Sequence, residues 1–189
     1  MMSDNGRRRK IIKTVICLML IAAAAFAGWK YYSGKQGSER SRSVMNTLND
    51  IIPGLGKDTG VQNGVGQDPP AAVSIEGIDI IGVIEIPTLN IMAPVTGKDY
   101  REEYFASWLD GTPVQMNFKV TGGKDDIFRK ISRLQPGDRV IYTDIDGVRY
   151  TYTVTTQYHL KKWDEGDNDL MLCYESYSDT YFVVGCNAE

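Results

Sequence analysis

Histidine occurs once in this 189-residue chain and cysteine three times, and the four residues are scattered at positions 17, 159, 173 and 186. That spacing does not build a zinc site, so no metal is expected. The glycine pairs in "GKDTG" and "TGGKDD" lack the pattern of a phosphate-cradling loop, so no nucleotide cofactor is expected either. Basic residues are unevenly spread. Six of the 21 Lys and Arg lie in residues 1–32 beside one acid, Asp4, and no Lys or Arg follows Lys162. The remainder holds 15 basic residues against 23 acidic ones, a charge that repels phosphate and excludes nucleic acid as a partner. The acidic run "DEGDND" offers Asp164, Asp167 and Asp169 as oxygen ligands for a hard cation such as Ca²⁺, but reads first as a solvated loop.

Long apolar runs are absent except at the N-terminus. "RRRKIIK" supplies five cations, and an uncharged run follows from Thr14 to Trp29, closed by Lys30 and the pair Tyr31 and Tyr32. Ile11 and Ile12, a snorkelling Lys13 and the interfacial aromatics bring this run up to the ~20 residues that span a bilayer. The expectation is an uncleaved single-pass anchor over residues 1–32, with the N-terminus in the cytoplasm and the rest outside. A cleaved leader ending at "AFA", residues 25–27, is the rival. Cys17 is a plain apolar residue of the run.

Residues 33–74 read as a flexible tether, since "SGKQGSERSRS" and "GKDTGVQNGVGQDPP" hold too little apolar area to offset the entropy of ordering. Within them "VMNTLNDIIPGL" sets Met45, Leu48, Ile51, Ile52 and Leu55 at helical spacing and predicts a short helix.

The folded domain is expected over 75–189, and its signals are mostly those of strands. "IGVIEIP" puts Ile84 and Ile86 on one face before Pro87, and "LNIMAPV" resumes at Leu89. "DRVIYTD" and "DGVRYTYTVTTQ" meet at the Asp146-Gly147 hairpin signal. In the second, Val148, Tyr150, Tyr152 and Val154 face the core, and Arg149, Thr151, Thr153 and Thr155 face water. Two helical pieces are expected. In "DYREEYFASWL", Tyr104 with Trp108 and Phe105 with Leu109 fall at i, i+4. In "DDIFRKISRL", Asp125 or Asp126 caps, and Ile127, Ile131 and Leu134 line a face. The predicted fold is mostly β, a small barrel or sandwich of about six to eight short strands with one or two short helices.

The order "IGVIEIPTLNIMAPV", "MNFKVTGG", "IFRKISRLQPGDRVIYTDIDGVRYTYTV", "LMLC" and "YFVVG" resembles the sortases, cell-surface cysteine transpeptidases of Gram-positive bacteria. The resemblance covers residues 78–186. It implies a membrane anchor, a closed eight-stranded barrel, and as partner a cell-surface protein or peptide with an LPxTG-type sorting signal.

It also implies three catalytic positions. The nucleophile falls on Cys173, at the end of "LMLC". The proton-transferring His falls on Gly123, in "NFKVTGG", and the Arg on Thr180 or Tyr181. An ordinary thiol of pKa ~8.5 is only a few per cent thiolate at pH 7. Losing an oxyanion donor typically costs ~10² to 10³ in rate, and losing the general acid and base ~10² to 10⁴. The implied protein is therefore a catalytically impaired or inactive member of the family. The alternative is an active transpeptidase or peptide hydrolase with relocated helpers. His159, which opens the loop "HLKKWDEGDND", is the candidate base, and Lys161 or Lys162 the candidate cation. Cys173 is preferred over Cys186 as attacker because a further strand follows it. No Cys173–Cys186 disulfide is expected, since a hairpin turning near Tyr177 sets residue 173 opposite about 181. A buried apolar role for Cys173 stays open.

Overall fold

The computed structural model describes residues 4–52, 54–55, 70–98, 100, 104–113, 117–123, 127–161, 167–177 and 180–189, with side chains for these except 4–11, 30–35, 127 and 177. The chain divides into two compact units, residues 1–37 and 38–189. The first is helical. It belongs to α1 (Asp4–Ile51) and contains the stretch Ile12–Trp29, 18 residues of mean hydropathy 2.0 with every side chain exposed. That is long and apolar enough to cross a membrane.

The second unit is a barrel of short strands. They are β1 (Val73–Ile75), β2 (Ile78–Ile86), β3 (Ile91–Thr96), β4 (Ala106–Asp110), β5 (Phe118–Gly122), β6 (Arg139–Asp144), β7 (Arg149–Leu160), β8 (Leu170–Tyr177) and β9 (Thr180–Ala188). Pairing runs in the order β1-β2-β3-β4-β5-β8-β9-β7-β6, and a further pairing of β2 with β6 closes β2 to β9 into an eight-strand ring with β1 outside it. Closure removes the exposed edges of the sheet. Inside lie Ile84, Ile86, Phe118, Val120, Tyr142, Tyr152, Val154, Leu172 and Val184. Tyr142 and Tyr152 bury their rings because each hydroxyl donates to a carbonyl, Ile81 at 2.7 Å and Pro113 at 2.9 Å. Gly82 is required where β2 meets β6, since a Cβ there would overlap the Thr143 carbonyl and the Tyr142 ring.

Two expectations are corrected. The segment expected as a helix over Tyr104–Leu109 is β4: Ala106 and Ser107 pair in parallel with Val95 and Thr96 of β3, and Tyr104 has φ 71°, which helical continuation does not allow. The expected wet face of β7 is buried at Arg149 and Thr151, because Arg149 meets the Glu85 carboxylate of β2 at 3.6 Å across the sheet. The short helix expected within residues 33–74 is the end of α1, which runs to Ile51, and residues from Ser38 onward belong to the barrel unit. Val44, Leu48, Ile52 and Leu55 pack on Ile75, Ile78, Ile80 and Val83, the outer face of β1 and β2, and on Phe105 just before β4. The Arg40 guanidinium and the Ser43 hydroxyl donate to Glu76, and the Ser41 hydroxyl donates to the Tyr104 carbonyl.

The second helical piece forms as a 3₁₀ helix, Ile127–Arg133. Its buried residues are Phe128 and Ile131, followed by Leu134, a spacing of three that matches its three residues per turn. The caps Asp125 and Asp126 and the side chain of Ile127 lie outside the described residues.

Candidate active site

The site is set by a parallel pairing. β5 and β8 run side by side with Lys119 opposite Met171 and Thr121 opposite Cys173. On the other side of β8, Cys173 faces Val183 of β9, and Val183 faces Tyr158 of β7. Partners across a ladder share a face. Cys173 therefore stands outside the barrel, in a cluster with Met171 and Val183 against which Leu109, Tyr158, Leu160 and Tyr181 pack. Its side chain is fully buried there, and its sulfur donates to the Val120 carbonyl at 3.5 Å. The Thr121 hydroxyl donates to the Cys173 carbonyl at 3.2 Å and ties the two strands together. Burial raises the Tyr158 phenol above its ordinary value, with smaller contributions from Asp167 and Cys173.

Gly123 follows β5 and is exposed, two residues beyond the partner of Cys173. It has no side chain to offer a proton. Gly122 before it is required by close packing, because a Cβ would overlap the Phe128 ring. Of the two candidate arginine positions, Tyr181 packs in the Cys173 cluster, and Thr180 sits at the hairpin end opposite Tyr177.

His159 belongs to the neighbouring row, opposite Phe182 in β9, which in turn faces Tyr174 in β8. Its ring meets Phe182 edge-on at 5.1 Å. Successive residues of a strand alternate faces, so His159 and Cys173 lie on opposite sides of the sheet. The structure does not bring the two together. Lys161 is exposed beyond the end of β7, and Lys162 and Asp164 lie outside the described residues. Asp169 accepts the Ala188 amide at 2.8 Å. Among the described residues, the cation on the thiol's face of the β5–β8 pair is Lys119, whose ammonium lies 3.6 Å from the Asp110 carboxylate. Strand alternation in "FKVTG" was the signal for it, since Phe118 and Val120 face the core and leave Lys119 and Thr121 outside.

Cys186 lies inside the barrel opposite Leu170, and burial pushes its thiol up to about 12. Cys173 pairs with Val183 rather than the expected residue 181, because β8 continues to Tyr177, which pairs with Thr180. The two sulfurs are on opposite faces, and three residues of strand, ~10 Å, separate their rows, beyond the ~7 Å Cα limit for a bridge. Neither is in a disulfide.

The Sortase domain family model matches residues 84–183. Among solved structures, sortase A from Listeria monocytogenes is similar at 18% identity and TM-score 0.50, covering 58% of this chain and 87% of its own. A Clostridium perfringens sortase D5 transpeptidase is similar at 16% identity and TM-score 0.51, covering 62% and 82%. Sortase A from Corynebacterium diphtheriae is similar at 14% identity and TM-score 0.51, covering 82% and 84%. No curated protein sequence matches. The likeness to these structures concerns the fold. The family match spans more than half of the chain and runs from β2 through the strands that carry Cys173, and on that ground the chain belongs to the sortase family.

Proposed function

We propose that this is a membrane-anchored extracellular sortase-fold protein that binds a sorting-signal-type peptide or surface protein and is catalytically impaired or inactive. One observation carries the reading: Cys173 is a fully buried thiol whose sulfur lies 3.5 Å from the Val120 carbonyl, with Gly123 where the resemblance calls for a histidine. With Gly123 at the histidine's place, no imidazole among the described residues of the Cys173 cluster takes the thiol's proton or protonates a departing amine, and acyl transfer loses that route for its protons. Tyr181 on the same face adds no positive charge for a developing oxyanion.

The anchor reading is supported by the exposed apolar stretch Ile12–Trp29 behind the basic cluster Arg7–Lys10. Basic residues flanking a span stay on the cytoplasmic side. In this reading the barrel works outside the cell.

The test uses the full-length protein in detergent micelles beside its Cys173→Ala variant. Each is incubated with LPxTG-type and NPxTG-type peptides plus an amine acceptor, and intact mass is followed over hours. The expected result is peptide binding by fluorescence anisotropy with no acyl adduct, under conditions in which an active sortase turns over. An adduct that depends on Cys173 overturns the inactive reading and makes the chain a working transpeptidase with relocated helpers.

A further inference from the structure

Part of the cover over Cys173 is a short strand with few pairings. β4 pairs with β3 at Ala106 and Ser107, and beyond Ser107 it is held by β5 alone. Its ladder with β5 is irregular between Trp108 and Asp110, and Leu109 falls in that irregularity without a cross-strand partner. An extra residue of this kind re-aims its side chain. Here it packs against the cluster of Met171, Cys173 and Val183. The other residues packed there, Tyr158, Leu160 and Tyr181, stand on β7 and β9, whose ladder runs from Tyr152 to Leu160, and do not yield without parting it.

The segment 105–110 hangs between two residues of left-handed backbone, Tyr104 and Gly111, both with φ 71°. Glycine adopts that conformation without strain. A tyrosine does not, and it keeps such a φ where its surroundings impose it. At Tyr104 those surroundings come from the helix over residues 38–51. The Ser41 hydroxyl donates to the Tyr104 carbonyl at 3.0 Å, and the next residue, Phe105, is buried in the cluster that holds Val44, Leu48 and Ile52.

We infer that residues 105–110 form a hinged cover over Cys173 and that the helix over 38–51 holds it shut. Phe105 under the helix and Leu109 over the thiol cluster are joined by one stretch of extended chain, ~13 Å at the usual strand rise. Release of Phe105 and of the Tyr104 carbonyl lets the segment turn about its two left-handed ends, as element-terminal hinges do, and lifts Leu109. Such a local opening costs less than unfolding the barrel. The fully buried Cys173 marks the closed state, and the helix sets how often the thiol meets water.

Thiol labelling of the native protein reads the opening and needs no bound peptide, so its result is separate from the peptide-binding reading. Full-length protein in detergent micelles is treated with N-ethylmaleimide without denaturant and quenched at intervals. Cys173 and Cys186 are followed by peptide mass mapping, each rate divided by that of the same thiol in urea. Cys186, inside the barrel opposite Leu170, reports global unfolding. In wild type Cys173 is expected to react about tenfold or more faster than Cys186. Ser41→Ala and Leu48→Ala are expected to raise that ratio about threefold or more, the effect of losing one hydrogen bond or a buried contact that holds the helix down. Val140→Ala, in the barrel interior on β6, is expected to speed both thiols alike and leave the ratio unchanged. Equal normalised rates for the two thiols in wild type overturn the cover. A ratio that neither Ser41→Ala nor Leu48→Ala raises overturns the helix's hold on it, and if Leu48→Ala does not fold, Ser41→Ala decides alone. A ratio that Val140→Ala raises as much as they do also overturns that hold, since any loss of stability would then open the cover.

Discussion

At the scale of single residues, the proposed loss of transfer rests on what stands at two positions, Gly123 and Tyr181. If Gly123 and Tyr181 are the reason for inactivity, Gly123→His with Tyr181→Arg restores a Cys173-dependent acyl adduct, raising its rate by at least ~10² over wild type, and each single change restores less. Intact mass after incubation with an LPxTG-type peptide checks this. A folded double variant that stays unacylated assigns the block to the side chains packed over the thiol. Cys186 provides a separate check. With its thiol pushed up to about 12, only about one molecule in ten thousand carries the thiolate at pH 8. Iodoacetamide at that pH is expected to leave Cys186 unmodified in the native protein and to label it in urea, as read by peptide mass mapping.

At the scale of elements, the helix over residues 38–51 behaves as part of the barrel unit. Leu48 is fully buried against β1 and β2, so Leu48→Ala is expected to cost ~2–5 kcal/mol in urea unfolding, while the exposed neighbour Asn49→Ala costs little. Gly82→Ala drives a methyl into the Thr143 carbonyl and Tyr142 and is expected to destabilise by at least ~1–3 kcal/mol in the same measurement. The strands were readable from sequence because two-residue alternation and turn residues are local signals. β4 was not, since the aromatic spacing of Tyr104 and Trp108 also suits a helix, and what decides is a parallel pairing with β3. For the same reason the alternation of β7 was read correctly on its core side, but the burial of Arg149 was not: its partner Glu85 lies 64 positions earlier. At the site, Cys173 and Gly123 were named from the order of motifs, and the structure sets them in β8 and just after β5. Lys119 was passed over, because its place on the thiol's face depends on which residue of β8 stands beside it.

At the scale of the whole molecule, stability should weaken in alkali. Burial raises Tyr142 and Tyr152 well above the ordinary phenol range, and raises Tyr150 and Cys186 to about 12. The unfolded chain then releases these protons from pH ~9 to 10 upward while the folded chain still holds them. Fewer protons bound in the unfolded state means that unfolding free energy falls as pH rises through this window. The urea midpoint is expected to change little between pH 7 and 8.5 and to drop steadily from pH 9.5 to 11. A flat profile would mean that the buried tyrosines gain solvent access before global unfolding. The ladder between β5 and β8 has a consequence for how such a protein changes over generations. Main-chain groups form that ladder, so it does not depend on which side chains stand at positions 123 and 181. Chemistry at this site is therefore separable in evolution from the architecture that carries it: a lineage can give up transfer, or recover it through a few substitutions, without first surrendering the barrel.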